Sequence, residues 1–232
     1  MRVFFLSLLV SFFSLVFAAE MLGTIEHTQG TVKVKSEDSF KKVKVKSGFE
    51  IHKGDMIITS KKASALIKLQ DASVIALDES STIRFSTQDL LEQQEGKVFY
   101  KITSRDAKNS LKVKTSFAII GIKGTTFIVN STQHPSVILK EGLIGIQSIK
   151  KEFELYSKTI KKHFDNYASE QKTAFEKFKQ VKEQGVAQMT KMFELQEGNK
   201  VSFEKNRVDE NSLALEDEAE FAYFEKLIQA AK

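Results

Sequence analysis

The 232 residues include no cysteine, no tryptophan and a single proline. Without a thiol, disulfide scaffolds, thiolate metal sites and cysteine nucleophiles are all excluded. Neither sign of charge dominates: 35 basic residues stand against 30 acidic ones, a net charge of +5, too evenly mixed to mark a nucleic-acid-binding chain. Beyond the first 18 residues no stretch is apolar enough to span a bilayer. What is present is 41% hydrophobic residues, which is enough for one or two packed domains and too many for a disordered chain.

Residues 1–18 read as an export signal. Arg2 precedes an apolar run from Val3 to Phe17 broken only by serines, and Val16 and Ala18 place small side chains ahead of a cut. The run also lies near the lower limit of about 17 residues for a spanning helix, so retention as an anchor is the competing expectation. After cleavage the expected location is periplasmic, cell-surface or secreted, in a Gram-negative-type envelope. Once the signal is cleaved, no stable transmembrane segment is expected.

Residues 23–147 alternate with period two. Val32 and Val34 alternate with Lys33 and Lys35, Val43 and Val45 with Lys44 and Lys46, and Val113 lies between Lys112 and Lys114. This pattern buries the valines on one face of a strand and leaves the lysines in water. About a dozen short strands follow from it, jointed by Gly, Asp, Asn or Ser. No helix-length segment separates them, so the expected fold is a mainly β domain, an antiparallel sandwich or jelly-roll-like wrap, without parallel crossovers. Trimmed after Lys150, it is expected to fold alone.

In residues 151–232 the spacing changes to three and four. Phe153, Tyr156, Ile160, Phe164, Tyr167 and Phe178, joined by Phe175 and Phe193, predict an amphipathic helix over about 151–197, stopped at Gly198. A second helix over about 213–231, capped by Asn211 or Ser212, supplies Leu215, Ala219, Ala222, Leu227 and Ile228 to pack against it. The expected tail is thus an α-helical hairpin whose aromatic stripe is its packing core or a homo-oligomer seam, with intramolecular packing preferred. The acidic cluster Glu216, Asp217, Glu218 and Glu220 is read as stabilising the start of the last helix.

The β half resembles the FecR-type periplasmic domain family. The resemblance is carried by Gly30-Thr31-Val32, Gly54-Asp55-Met56-Ile57-Ile58-Thr59, Asp71-Ala72-Ser73-Val74-Ile75-Ala76-Leu77 with Ser80, and Gly96-Lys97-Val98. It continues through Leu111 to Thr115, Gly124 to Val129 and Val137 to Leu143. The family is known from inner-membrane regulators that relay outer-membrane iron–siderophore signals to sigma factors. Those regulators begin with a cytoplasmic sigma-binding segment, where this sequence begins with its export signal, so direct sigma-factor control is not what the resemblance implies here. Gly54 and Gly142 read as turn residues with positive φ, whereas Ala72 stands where the family usually has glycine and argues against a left-handed turn. Thr59, Thr115 and Thr125 are expected to close backbone hydrogen bonds at strand ends.

No catalytic constellation emerges. Gly121-Ile122-Lys123-Gly124-Thr125-Thr126 has its lysine before the glycine and a strand after it, unlike a phosphate loop. His27, His52, His134 and His163 are scattered, and Asp78 and Glu79 face opposite sides of an extended chain. No enzyme activity, cofactor or metal is expected. The strongest surface feature is Lys33, Lys35, Lys41, Lys42, Lys44 and Lys46, read first as a guard against edge-to-edge aggregation and second as an anion-binding surface. The sequence therefore predicts a non-catalytic binding module, with another envelope protein or a cell-surface polymer as partner and no nucleic acid. The alternative is an accessory sensor that signals through a membrane-bound partner.

Overall fold

The computed structural model describes residues 20–103, 110–157 and 187–231. In chain order these form β1 (Met21–Gln29), β2 (Val32–Lys35), β3 (Val43–Val45), β4 (Phe49–His52), β5 (Met56–Thr59), β6 (Ser64–Leu69), β7 (Val74–Leu77), β8 (Thr82–Thr87) and β9 (Leu90–Lys101). Then come β10 (Leu111–Lys114), β11 (Ala118–Ile122), β12 (Thr126–Ser131), β13 (Ser136–Glu141), β14 (Leu143–Ser148) and β15 (Phe153–Tyr156). The last are β16 (Ala187–Thr190), β17 (Met192–Gln196), β18 (Asn199–Glu204), β19 (Arg207–Ser212) and the helix α1 (Leu215–Ala230). The protein is mainly β, as the alternation predicts.

The strands form two ladders that share β9. One runs β4, β1, β6, β7, β9, β12, β13, β18, β19, β15, β16. The other runs β3, β2, β5, β8, β9, β10, β11, β14, β17. Residues 90–95 of β9 belong to the second ladder and Gly96 onward to the first. Gly96 makes the change of ladder at φ 85°, and a Cβ there would collide with the backbone of Ser81.

A single buried cluster joins the inward faces of both ladders. Val32, Ile57, Ile83, Leu91 and Ile120 come from the second, and Ile25, Ile67, Val98, Phe127 and Val201 from the first. A second cluster lies on the other face of the first ladder, where Leu66, Ala76, Phe99, Ile128 and Ile138 meet Phe221 and Phe224 of α1. The central strands are therefore apolar on both faces, while β2 and β10 keep their lysines outward.

Several expectations are corrected. The helix expected over about 151–197 is replaced at both ends by strands, β15 at Phe153–Tyr156 and β16 and β17 at Ala187–Gln196. Phe153 with Leu155, Phe193 with Leu195 and Val201 with Phe203 also repeat every two residues, and in short segments pairing partners decide between the two periods. The rest of that expected helix, with Ile160, Phe164, Tyr167, Phe175, Phe178 and Gly185, lies outside the described residues. One helix, α1, stands in place of the hairpin among the described residues, and Gly198 at φ 73° turns β17 into β18 rather than ending a helix. Asn211 and Ser212 cannot cap α1 because they close β19 opposite Lys200 and Asn199; Ala214 is the cap. Two pairings are parallel, β9 with β10 and β15 with β19.

At Ala72 the backbone is left-handed after all, at φ 65°. Three hydrogen bonds fix it there: Ala72 N–H donates to Leu69 O, Leu69 N–H to Ser73 O, and Ser73 N–H to Asp71 Oδ1. Thr59 Oγ1 donates to Asp78 O at 2.6 Å, and Thr115 Oγ1 accepts from the amides of Phe117 and Ala118, as expected. The Thr125 hydroxyl is buried with no partner among the described residues.

Candidate interaction surfaces

The deepest polar groups are occupied in bracing β9. Buried Tyr100 donates through its hydroxyl to Gln93 Oε1 at 2.9 Å, and Gln93 Nε2 donates to the carbonyls of Gly96 and Val129, each at 3.0 Å. Burial pushes the Tyr100 hydroxyl well above its ordinary pKa, so it stays a neutral donor. Such a satisfied network fixes the crossover. Asp78 accepts from the Tyr223 hydroxyl at 3.1 Å and Glu79 from the Lys62 amide at 2.6 Å, so this carboxylate pair is taken up in structure. His27, His52 and His134 lie apart, His163 is outside the described residues, and among the described residues no three His, Asp or Glu could hold a metal ion.

Surface is what remains, and three parts of it stand out. The first is the basic edge. Lys33 on β2 lies opposite Lys44 on β3, and β3 has β2 as its only partner strand among the described residues. Lys35 ends β2, Lys41 and Lys42 lie in the following loop, and Lys46 follows β3. None of the six lysine side chains has an ion-pair partner among the described residues. Like charges directly across a strand pair are unfavourable, and here they are concentrated. Beside them Phe40 is 98% exposed and Val43 59% exposed, apolar groups that the lysine pattern alone did not bring to notice.

The second is the outer face of the first ladder with α1 lying on it. Three ion pairs tie helix to sheet: Lys97 to Glu220 at 2.8 Å, Lys140 to Glu225 at 2.6 Å and Lys200 to Asp217 at 2.7 Å. Asp217 also accepts the Ala214 amide, so one carboxylate serves both the helix start and the docking contact. Two members of the acidic cluster, Asp217 and Glu220, thus hold α1 to its own sheet. Phe221 and Phe224 carry the contact, helped by half-buried Leu227 and Ile228, while Leu215, Ala219 and Ala222 face outward, contrary to expectation. The signal for this face is in the sequence: Val74–Leu77, Phe127–Val129 and Val137–Leu139 are unbroken apolar runs, as strands covered on both sides require.

The third is a groove of about 1240 Å³ whose walls include Phe117, Phe153, Phe203, His134, Lys150 and Lys205. Of the expected aromatic stripe, Phe153 is buried here against Phe193 and Phe203, at centroid distances of 5.7 and 5.8 Å. Tyr156 carries the Arg207 guanidinium over its ring at 4.2 Å, and Arg207 in turn forks onto Asp209.

The family model described as FecR protein matches residues 55–145, from the start of β5 into β14. The chain carries a FecR-type domain. The FecR-type segment supplies the middle of both ladders, including the β9 crossover and most of the sheet face under α1. Two crystal structures of a candidate anti-sigma factor from Parabacteroides distasonis align with TM-scores of 0.45, at 14% and 13% identity. The alignments cover 68% of this chain and 59% of those chains. No curated protein matches the sequence. Among the described residues no helix is long and apolar enough to cross a membrane, which leaves β-barrel spanning unaddressed.

Proposed function

We propose that the protein is an exported, non-catalytic recognition module whose FecR-type domain provides a rigid scaffold for binding another envelope protein. The FecR match over the centre of both ladders carries this reading. It is supported by buried Tyr100 and Gln93, which brace the β9 crossover, and by exposed apolar groups at the margins such as Met189 and Met192. An accessory sensor that passes an envelope signal to a membrane-bound partner is the second reading, favoured by the same family match. Periplasmic location is part of the proposal and rests on the apolar run of residues 3–17.

A photo-cross-linking residue at Met192, with one at Lys61 as control, tests the recognition reading in intact cells. The expected result is one discrete adduct with an envelope protein from Met192 and none from Lys61. No adduct at either position, or turnover of a substrate by the purified chain, would refute it. For the sensor reading, deleting the gene should change expression of a small set of envelope genes only while the partner is present.

A further inference from the structure

Phe40 is the most exposed large apolar side chain in the described structure, and it sits among unpaired lysines. Edge protection accounts for the lysines but gives no reason for a phenylalanine held in water. The strand directions locate it. Met21 lies opposite His52, so the start of β1 and the end of β4 share one end of the ladders. Lys35 lies opposite Met56, so β2 also finishes there, and residues 36–42 loop out from that end before Val43 returns opposite Val34. Glu37 packs over Gly54 in the β4–β5 turn, which brings exposed Lys53 to the same end.

The chain reaches this end straight from its apolar run. Between Phe17 and Met21 lie only residues 18–20, which span at most about 10 Å when extended. With the run retained in a bilayer, Met21 starts no more than about one screening length from it, and Phe40, Lys41, Lys42 and Lys53 lie at the same end of the ladders. Lys35, Lys41, Lys42 and Lys53 share this end with Glu20, Glu37 and Asp38, of which Glu37 is turned onto Gly54.

We infer that residues 36–42 form a membrane-contacting tip, in which Phe40 enters the interface of an anionic phospholipid bilayer and Lys41, Lys42 and Lys53 engage its phosphate groups. An aromatic ring at headgroup depth and lysines on anionic lipid are each favourable there, and each lysine contributes about fivefold in affinity. The inference rests on retention of the apolar run as an anchor rather than on its cleavage. It orients the module with its β1–β4 end on the membrane and the α1-covered face away from that contact.

The absence of tryptophan gives a clean probe. The full chain carrying F40W is reconstituted into vesicles of phosphatidylcholine with phosphatidylglycerol, and into phosphatidylcholine alone, with K61W at the opposite strand ends as control. The expected result is a blue-shifted F40W emission, quenched by brominated lipid, in anionic vesicles only. K61W stays unshifted, and adding K41Q or K42Q lowers the bound-to-free ratio of the tip about fivefold each. F40W that remains water-like in vesicles holding the chain overturns the inference and leaves the export reading standing, and a chain that does not enter vesicles overturns the inference together with retention of the run as an anchor. A shift produced by soluble polyphosphate without quenching by brominated lipid would assign the lysines to a free polyanion and also overturn it.

Discussion

Phe224 of α1 stacks on Phe99 of β9 with ring centroids 5.5 Å apart and planes 22° apart. Phe99 belongs to the FecR-type segment and Phe224 to the end of the chain, so this pair couples the C-terminal helix to the central strand shared by both ladders. Phe221 meets the same ring edge-on at 6.2 Å, and Lys140 lies over Phe221.

Because Phe224 is fully buried, F224A should weaken docking of α1 by about 3–5 kcal/mol, the range for emptying a phenylalanine site. The Lys97–Glu220 and Lys140–Glu225 pairs are partly exposed, and breaking either should cost no more than about 1 kcal/mol. Amide exchange across 215–230 measures this: F224A should lose protection there while β6 and β7 keep theirs. Unchanged protection in α1 would mean that the aromatic contact does not hold it.

Ala72 is held left-handed by its turn hydrogen bonds, a backbone state that costs an L-residue about 1–2 kcal/mol. A72G should therefore stabilise the protein by about 0.5–1 kcal/mol, after allowing for the greater freedom of glycine in the unfolded chain. Urea unfolding reads the difference directly. A loss of stability would show that the turn relaxes out of this conformation in solution.

Burial pushes the Glu210 carboxyl above its ordinary value, against the opposing pull of the Asn199 amide. With the folded value above the unfolded one, folding favours the protonated acid. That contribution is complete below the ordinary carboxylate range and is lost as pH rises through the raised value. E210Q imitates the protonated form and keeps the acceptor for Asn199, 3.1 Å away in the wild type. Its Tm should match wild type in acid and exceed it at neutral pH. A gain confined to acid would reverse the assignment.

Removing everything after Lys150 should leave an insoluble or molten fragment rather than the independent β domain that the alternation suggests. β13 would lose β18, β14 would lose β17, and the face carrying Phe99, Ile128 and Ile138 would lose α1. Open edges and a bare apolar face both favour aggregation. A soluble monomer with sharp unfolding would contradict this prediction.

The legible part of the fold was the part with one wet face. In β2 and β10 the lysines mark alternate positions, and nothing competes with a strand reading. β15 and β17 were obscured because Phe153, Tyr156 and Phe193 fit a helical spacing as well as a two-residue one, and what selects the strand is pairing with β19 and β14, far away in the chain. α1 lies within two residues of the expected helix, and Leu227 and Ile228 pack on the sheet as expected while Leu215, Ala219 and Ala222 do not. Phe221 and Phe224 were passed over for smaller residues, since the sheet receiving them was not known to be apolar on its outer side. At the surface the lysine edge could be read from sequence, whereas Phe40 became notable only when its exposure and its place at the β1 end were known.

The strands beyond residue 150 complete the ladders of the FecR-type domain and form one body with it. Native-state hydrogen exchange of the full chain tests this most directly at Val201 and Leu139, which lie on the paired strands β18 and β13. Both amide regions should share the slowest exchange and be released together in denaturant. Rapid exchange across 199–204 while β12 and β13 remain protected would contradict it.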